Sequence, residues 1–237
     1  MYALGDSIAA CHLADDGKPG SSAACAPDLI ASELRDHYVP DLKYANYSQL
    51  SSQTREWLEQ AQRVEPGPGH ILIWAYWGGN DIGMCAQTNP IETLACADGV
   101  IAELTNTWQD IFTYFSDLAR FPDGATFMLN TQYGLYDECV TPESPLGGPQ
   151  RDAKLKEYNQ KVFIQPALTR NDTVTVDQYP DWRGHERQAD QARCPHCYRG
   201  DNSTWLASDG THPNSLGQQH IADKWTAAIE AIYSQCE

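Results

Sequence analysis

Seven consecutive apolar residues, Ile71-Leu-Ile-Trp-Ala-Tyr-Trp77, run directly into Gly78-Gly79. A strand without polar alternation is buried on both faces, as in the middle of a parallel sheet with helices on either side. The run is the longest apolar stretch in the chain and is far too short to cross a bilayer, so no membrane span is expected. Around it lie four further β-type runs, Met1–Leu4, Leu42–Tyr47, Ala125–Thr131 and Thr173–Gln178, with the central one extending over His70–Trp77.

Helix-period segments separate these runs. Pro27–Tyr38 carries Leu29, Ile30 and Leu34, and Thr54–Ala61 follows. Asp98–Ala119 repeats Val100, Leu104, Trp108, Ile111, Phe115 and Leu118 every three or four residues, one apolar stripe. Gln150 to about Phe163 comes next, with Pro166 expected to end or kink it. The last, Asn214–Ser234, places Leu216, Ile221, Trp225, Ile229 and Ile232 on one side. The stretches 66–69, 141–148 and 181–208 are expected to be loops. The class is α/β: a parallel sheet covered by helices on both faces. No repeat or linker divides the chain, and 41% apolar content over 237 residues supports a sizeable core, so one domain over 1–237 is expected.

Lys and Arg number 16 against 32 Asp and Glu, a formal charge of −16, which repels phosphate backbones and argues against nucleic acid as a partner. The eight cysteines (11, 25, 85, 96, 139, 194, 197 and 236) are an even and high count. Only Cys194-Pro-His-Cys197 has zinc or redox spacing, and the segment after it, Tyr198–Thr204, is no helix, so disulfides in an oxidising compartment are the expectation. Met1 abuts the first strand and leaves no room for a leader, so a trimmed mature chain from an exported precursor is expected. Asp15-Asp16-Gly17 lacks further ligands at calcium-loop spacing and is taken as a solvated turn; no metal or cofactor is expected. Sequons occur at Asn46, Asn171 and Asn202; Asn46, at a strand end, is expected to be unmodified.

In a right-handed strand–helix–strand succession, the chemistry gathers at the carboxyl ends of the strands. Three segments fall there or return there. Gly5-Asp6-Ser7 follows the first strand: the glycine permits a sharp turn, and the serine hydroxyl and N–H are left at the strand exit. Gly78-Gly79-Asn80-Asp81 follows the central strand; its glycines allow close backbone approach, and the Asn80 amide can donate to a developing oxyanion. Asp209-Gly-Thr-His212-Pro-Asn lies near the end of the chain. A carboxylate three residues before a histidine, across a tight turn, can accept from Nδ1–H and leave Nε2 as a general base. Taken singly, each is an ordinary turn or helix-cap sequence.

Together, in this order and at these spacings, the three segments resemble the SGNH (GDSL-type) hydrolases over almost the whole chain. The resemblance implies a three-layer α/β/α sandwich around a flavodoxin-like parallel sheet of about five strands, and esterase or lipase chemistry without cofactor or metal. Ser7 takes the place of the nucleophile, His212 of the base and Asp209 of its orienting acid. The oxyanion donors are then the Ser7 N–H, Asn80 and, in the second block, Ser52 (or Ser51 or Ser48) where the family usually has glycine. Ile8 stands where the family has leucine. The resemblance also implies disulfides that pin active-site loops: Cys11–Cys25, Cys85–Cys96, and Cys139 with Cys194 or Cys197, which leaves Cys236 for the remaining one.

Among aromatics on strand ends and loops, Trp77, Tyr133 and Trp205 are candidate substrate-binding residues, with Tyr136 and Trp182 nearby; loop packing is the alternative. No long apolar lid segment is visible. A monomer acting on small-molecule or polymer-borne esters is expected, with short or medium acyl esters or acetylated carbohydrate as substrates. Lipase, phospholipase or acyltransferase chemistry at the same site is the near alternative. A carbohydrate-binding protein without catalysis, or a thiol–disulfide enzyme using Cys194 and Cys197, is the distant one.

Overall fold

Five strands form in the order the hydropathy pattern sets them out: β1 (Tyr2–Gly5), β2 (Ala45–Asn46), β3 (Ile71–Tyr76), β4 (Ala125–Asn130) and β5 (Thr173–Val176). They make one sheet of order β2-β1-β3-β4-β5 in which every pairing is parallel. The computed structural model describes residues 1–12, 14, 25–85, 90–134, 149–183, 185 and 204–234. The expected loop 141–148, most of 181–208, the turn Asp15–Gly17, Tyr136, Asn202 and Cys139, Cys194, Cys197 and Cys236 lie outside the described residues.

The central strand serves two cores. Ile71, Ile73, Ala75 and, just past the strand, Trp77 enter the one built by helices α2 (Thr54–Ala61), α4 (Pro90–Phe115) and α5 (Pro149–Asn159). There Trp57, Leu104, Trp108, Ile111, Phe115 and Tyr158 complete the packing. Trp74 and Tyr76 point the other way, toward α1 (Ala26–His37) and α8 (Ser215–Tyr233), which supply Ile30, Leu34, Ile221, Trp225 and Ile229. This is the three-layer α/β/α sandwich, and it explains why β3 tolerates no polar residue. Among the described residues, no helix is long and apolar enough to cross a membrane.

Several boundaries depart from the sequence reading. β2 is two residues long because Leu42 closes a turn on the Val39 carbonyl (2.9 Å) and does not extend the ladder. Helix α4 starts at Pro90, before Asp98, and carries buried Thr93 and Ala97 one turn apart, side chains too small or polar to register as an apolar stripe. It ends at Phe115, so Leu118 is exposed in the following turn, and Leu216 and Ile232 at the two ends of α8 are exposed as well. Past α5 the chain runs through a π-turn, Gln160–Ile164, into α6 (Gln165–Thr169). Pro166 sits in the first turn of α6, where no N–H is required. Two short helices, α3 (Gly79–Met84) and α7 (Tyr179–Trp182), were hidden by sequences of low helix propensity.

The connections set the site. The chain leaves β1 on one side for β2, then crosses back over β1 to reach β3. The order therefore reverses between β1 and β3, and the crevice at their carboxyl ends is where a ligand is held in such sheets.

Candidate active site

The turn after β1 admits only glycine at position 5, because a Cβ there would lie 2.4 Å from the Ala9 Cβ and 2.5 Å from the Tyr76 carbonyl oxygen. The turn is then held by Asp6, whose N–H donates to the Tyr76 carbonyl (3.2 Å) and whose Oδ1 accepts from the Ile8 N–H (2.9 Å). Ser7 emerges at the crevice between β1 and β3, largely buried, and among the described residues its N–H has no partner. Asn46 Nδ2, at the end of β2, donates to the Ala9 carbonyl (2.9 Å) and ties down the far side of the turn.

His212 comes from a loop that its own residues brace. Asp209 Oδ1 accepts from the N–H groups of Thr211 (3.0 Å) and His212 (3.1 Å), and Ala207 N–H donates to the His212 carbonyl (2.7 Å). Asn214 caps α8 by accepting from Gly217 N–H (3.1 Å), while its Nδ2 holds the carbonyls of Thr204 (2.8 Å) and Leu206 (3.1 Å). The result is a line: Ser7 Oγ lies 2.7 Å from His212 Nε2, and His212 Nδ1 lies 2.5 Å from Asp209 Oδ2. The His12 ring stands edge-on to that of His212, 4.8 Å between centroids.

At the end of β3, Gly78 takes φ 99°, and a Cβ there would fall 1.6 Å from the Tyr158 hydroxyl oxygen. This left-handed turn starts α3 and brings Asn80 beside Ser52, to whose carbonyl Asn80 Nδ2 donates (2.9 Å). That bond uses one amide hydrogen and leaves the second to donate elsewhere. Asp81 Oδ1 accepts from the N–H (2.9 Å) and the hydroxyl (2.5 Å) of Thr54, joining the start of α3 to the start of α2.

Ser52 does not carry the positive φ; Ser51 does, at 61°. The Ser52 N–H closes a turn on the Gln49 carbonyl (3.2 Å), so it is already engaged, and its carbonyl serves as the support for Asn80.

Burial governs the charges. Burial pushes the Asp6 carboxyl up to about 7, with the nearby Asp81 adding to the rise and the Ile8 N–H opposing it. Burial likewise raises Asp81 against the hydrogen bonds from Thr54. Burial also works to raise Asp209, but the bonds from the His212 ring and from the Thr211 and His212 amides outweigh it and hold the carboxyl below its usual value. An ionised Asp209 keeps the proton on His212 Nδ1 and leaves Nε2 an acceptor toward Ser7.

The aromatics separate. Trp77 is wholly buried, stacked on Trp57 (4.8 Å between centroids) and set against Trp108, so it belongs to the core and offers no surface to a ligand. Trp205 is held between the rings of His185 (3.7 Å) and His220 (4.2 Å) beneath the His212 loop and does not line the cleft. Trp182 is buried under Tyr133, 3.9 Å between ring centroids. Of the three substrate-binding candidates, only Tyr133 borders the cleft.

That cleft, about 180 Å³, opens at Ser7 and His212 and runs between α3, α4 and α5. Ile82, Leu94, Ala97 and Leu155 form its apolar walls, Cys85 lies in its lining, and Thr93, Gln132, Asp152 and Lys154 add polar groups to it. Sequence reasoning missed these residues because an apolar side chain facing a groove carries the same periodicity as one facing the core. Cys11 and Cys25, and Cys85 and Cys96, stand at disulfide distance with Cα separations of 5.3 and 5.4 Å. Among the described residues, no group of three or more His, Cys, Asp or Glu is placed to hold a metal ion.

The fold has solved counterparts. A lipase from a goat rumen metagenome superposes with a TM-score of 0.64 at 16% identity, over 96% of this chain and 95% of that one. An extracellular lipase from Streptomyces rimosus gives 0.61 at 19%, over 96% and 98%. A phospholipase A1 from Streptomyces albidoflavus gives 0.63 at 17%, over 94% and 97%. The shared property at these identities is the fold. No family model matches the chain, and no curated protein matches it in sequence.

Proposed function

We propose that the chain is a serine ester hydrolase of the SGNH type that works through an acyl-enzyme. The observation that carries this reading is the line from Ser7 Oγ through the His212 ring to Asp209, at 2.7 and 2.5 Å, with two of its three members brought from opposite ends of the chain. His212 Nε2 takes the Ser7 proton while Oγ bonds to the ester carbonyl carbon and the carbonyl electrons move onto its oxygen. The Ser7 N–H and the second hydrogen of Asn80 Nδ2 receive that oxyanion. As the carbonyl re-forms, the C–O bond to the alcohol breaks and His212 returns its proton to the leaving oxygen. Water then repeats the sequence on the acyl-enzyme and releases the acid.

The substrate we assign is an ester of a short or medium linear acyl chain. Support comes from the apolar walls that continue from Ser7, Ile82, Leu94, Ala97 and Leu155, which suit methylene groups better than sugar hydroxyls. Trp77 and Trp205, two of the aromatics that could have formed a sugar platform, are engaged elsewhere. All three groups of the line come from one chain, which supports a monomer as the working unit. The two cysteine pairs at disulfide distance support an exported protein.

The test is hydrolysis of a chain-length series of chromogenic acyl esters by the wild type beside Ser7→Ala. A burst followed by steady turnover in the wild type, and its loss in Ser7→Ala, is the expected result. Undiminished turnover by Ser7→Ala removes the assignment.

A further inference from the structure

Gln60 lies on the inner face of α2 between Trp57 and Ala61, wholly buried. An uncharged amide in such a place is costly unless its polar atoms are bonded, and here they are. Its Oε1 accepts from the Gly5 N–H (2.8 Å), and its Nε2 donates to the Gly5 carbonyl (3.0 Å) and to the Ser52 hydroxyl (2.8 Å). The sheet explains the position. The register between β1 and β2 ends at Ala3 opposite Asn46; beyond it the Gly5 carbonyl still accepts from the Gln49 N–H (3.0 Å), while the Gly5 N–H is left to the Gln60 amide, which also shares that carbonyl.

We infer that Gln60 is a positioning residue that sets the spacing between the nucleophile and the oxyanion amide. Gly5 lies two residues before Ser7 in the turn that presents it. Ser52, whose hydroxyl Gln60 holds, in turn holds Asn80 Nδ2 through its carbonyl (2.9 Å). One side chain therefore binds the loop that carries each partner, without reaching the cleft. The inference rests on the roles proposed above for Ser7 and Asn80. It adds that their relative placement is fixed from α2, a helix that contributes nothing to the reacting groups.

Gln60→Glu keeps the volume and the acceptor for the Gly5 N–H but, protonated by burial, retains at most one of the two donations, and Ser52→Ala cuts only the link from Gln60 to the loop. Each is compared with the wild type in steady-state ester hydrolysis and in the rate at which an aryl phosphonate labels Ser7, whose tetrahedral adduct places an oxygen where the oxyanion forms. The expected result is a fall of about tenfold or more in kcat and in labelling rate, with KM within about twofold, since the lost interaction is one made in the transition state. A folded Gln60→Glu or Ser52→Ala protein with both rates within about twofold of wild type overturns the inference, as does a rise in KM alone. If Gln60→Glu does not fold, Ser52→Ala decides by itself. Undiminished turnover by Ser7→Ala instead defeats the reading of the reaction, and a wild type that neither turns over nor labels defeats both.

Discussion

The Tyr133 hydroxyl donates to the main-chain carbonyl of Thr211 at 2.8 Å, one residue before His212. The same ring lies flat on Trp182, 3.9 Å between centroids, and borders the cleft. Tyr133 thus ties the exit of β4 to the loop that carries the imidazole. Tyr133→Phe keeps the stack and removes the tether. The expected outcome is a loss of stability of about 1 kcal/mol, the ordinary worth of a hydrogen bond, together with a several-fold lower kcat. Chemical denaturation and steady-state kinetics on one preparation check both; a kcat equal to wild type shows that the loop does not need the tether.

Asp209 acts on tautomer as much as on charge. Asp209→Asn can keep the bonds from the Thr211 and His212 N–H groups by presenting its carbonyl oxygen there, and then its NH₂ faces His212 Nδ1. The imidazole must shift its proton to Nε2, which becomes a donor toward Ser7 and cannot accept from it. A fall of about 10³- to 10⁴-fold in kcat is expected. Activity of the Asn variant within tenfold of wild type excludes the orienting role.

How much of this was legible beforehand depended on what each residue signals locally. Ser7 and Asn80 follow glycines at strand ends, where turn chemistry and position in the topology both mark them, and Asp209–His212 is marked by its own turn just before α8. The central strand declared itself through an apolar run that only a doubly covered strand can bury. Trp77 was misplaced because the run ends on it: alternation continues one residue past the ladder, so its ring joins Ile73 and Ala75 in the core. Ser52 was matched by block order alone, which says nothing about where its N–H points, here toward the Gln49 carbonyl. Gln60 did leave a trace, a polar residue on the buried stripe of α2 between Trp57 and Ala61, but only the fold shows that the β1–β2 register stops short and leaves the Gly5 N–H to a side chain. The cleft walls left no trace, since Leu94 and Leu155 look like any core leucine.

Asp6 makes stability depend on pH in an unusual direction. Its carboxyl titrates near 7 in the folded protein and near 3.8 in the unfolded chain. Below about 4 both states hold the proton. Between about 4 and 7 the unfolded chain has released it and the folded protein has not, so stability falls as pH rises, and above 7 the loss is complete. About three units of difference correspond to a change on the order of 4 kcal/mol across that window. Asp6→Asn, whose carbonyl can still accept from the Ile8 N–H, abolishes this slope. Urea unfolding of both proteins at pH 4 to 8 should show the variant gaining on the wild type as pH rises; parallel curves show that Asp6 is not the group responsible.

The walls of the cleft set the last expectation. If the acyl chain lies along Ile82, Leu94, Ala97 and Leu155, each methylene that enters leaves water for an apolar surface, worth about 0.8 kcal/mol, or roughly fourfold in kcat/KM per carbon until the cleft is full. Leu94→Trp shortens the cleft from the α4 side without touching Ser7, His212 or Asn80. Acetyl esters should then be hydrolysed within about threefold of the wild-type rate, while six- and eight-carbon esters lose about tenfold or more. The profile of kcat/KM against chain length is the measurement. A uniform drop at every length means that the substitution disturbed the reacting groups, and an unchanged profile means that the acyl chain lies elsewhere.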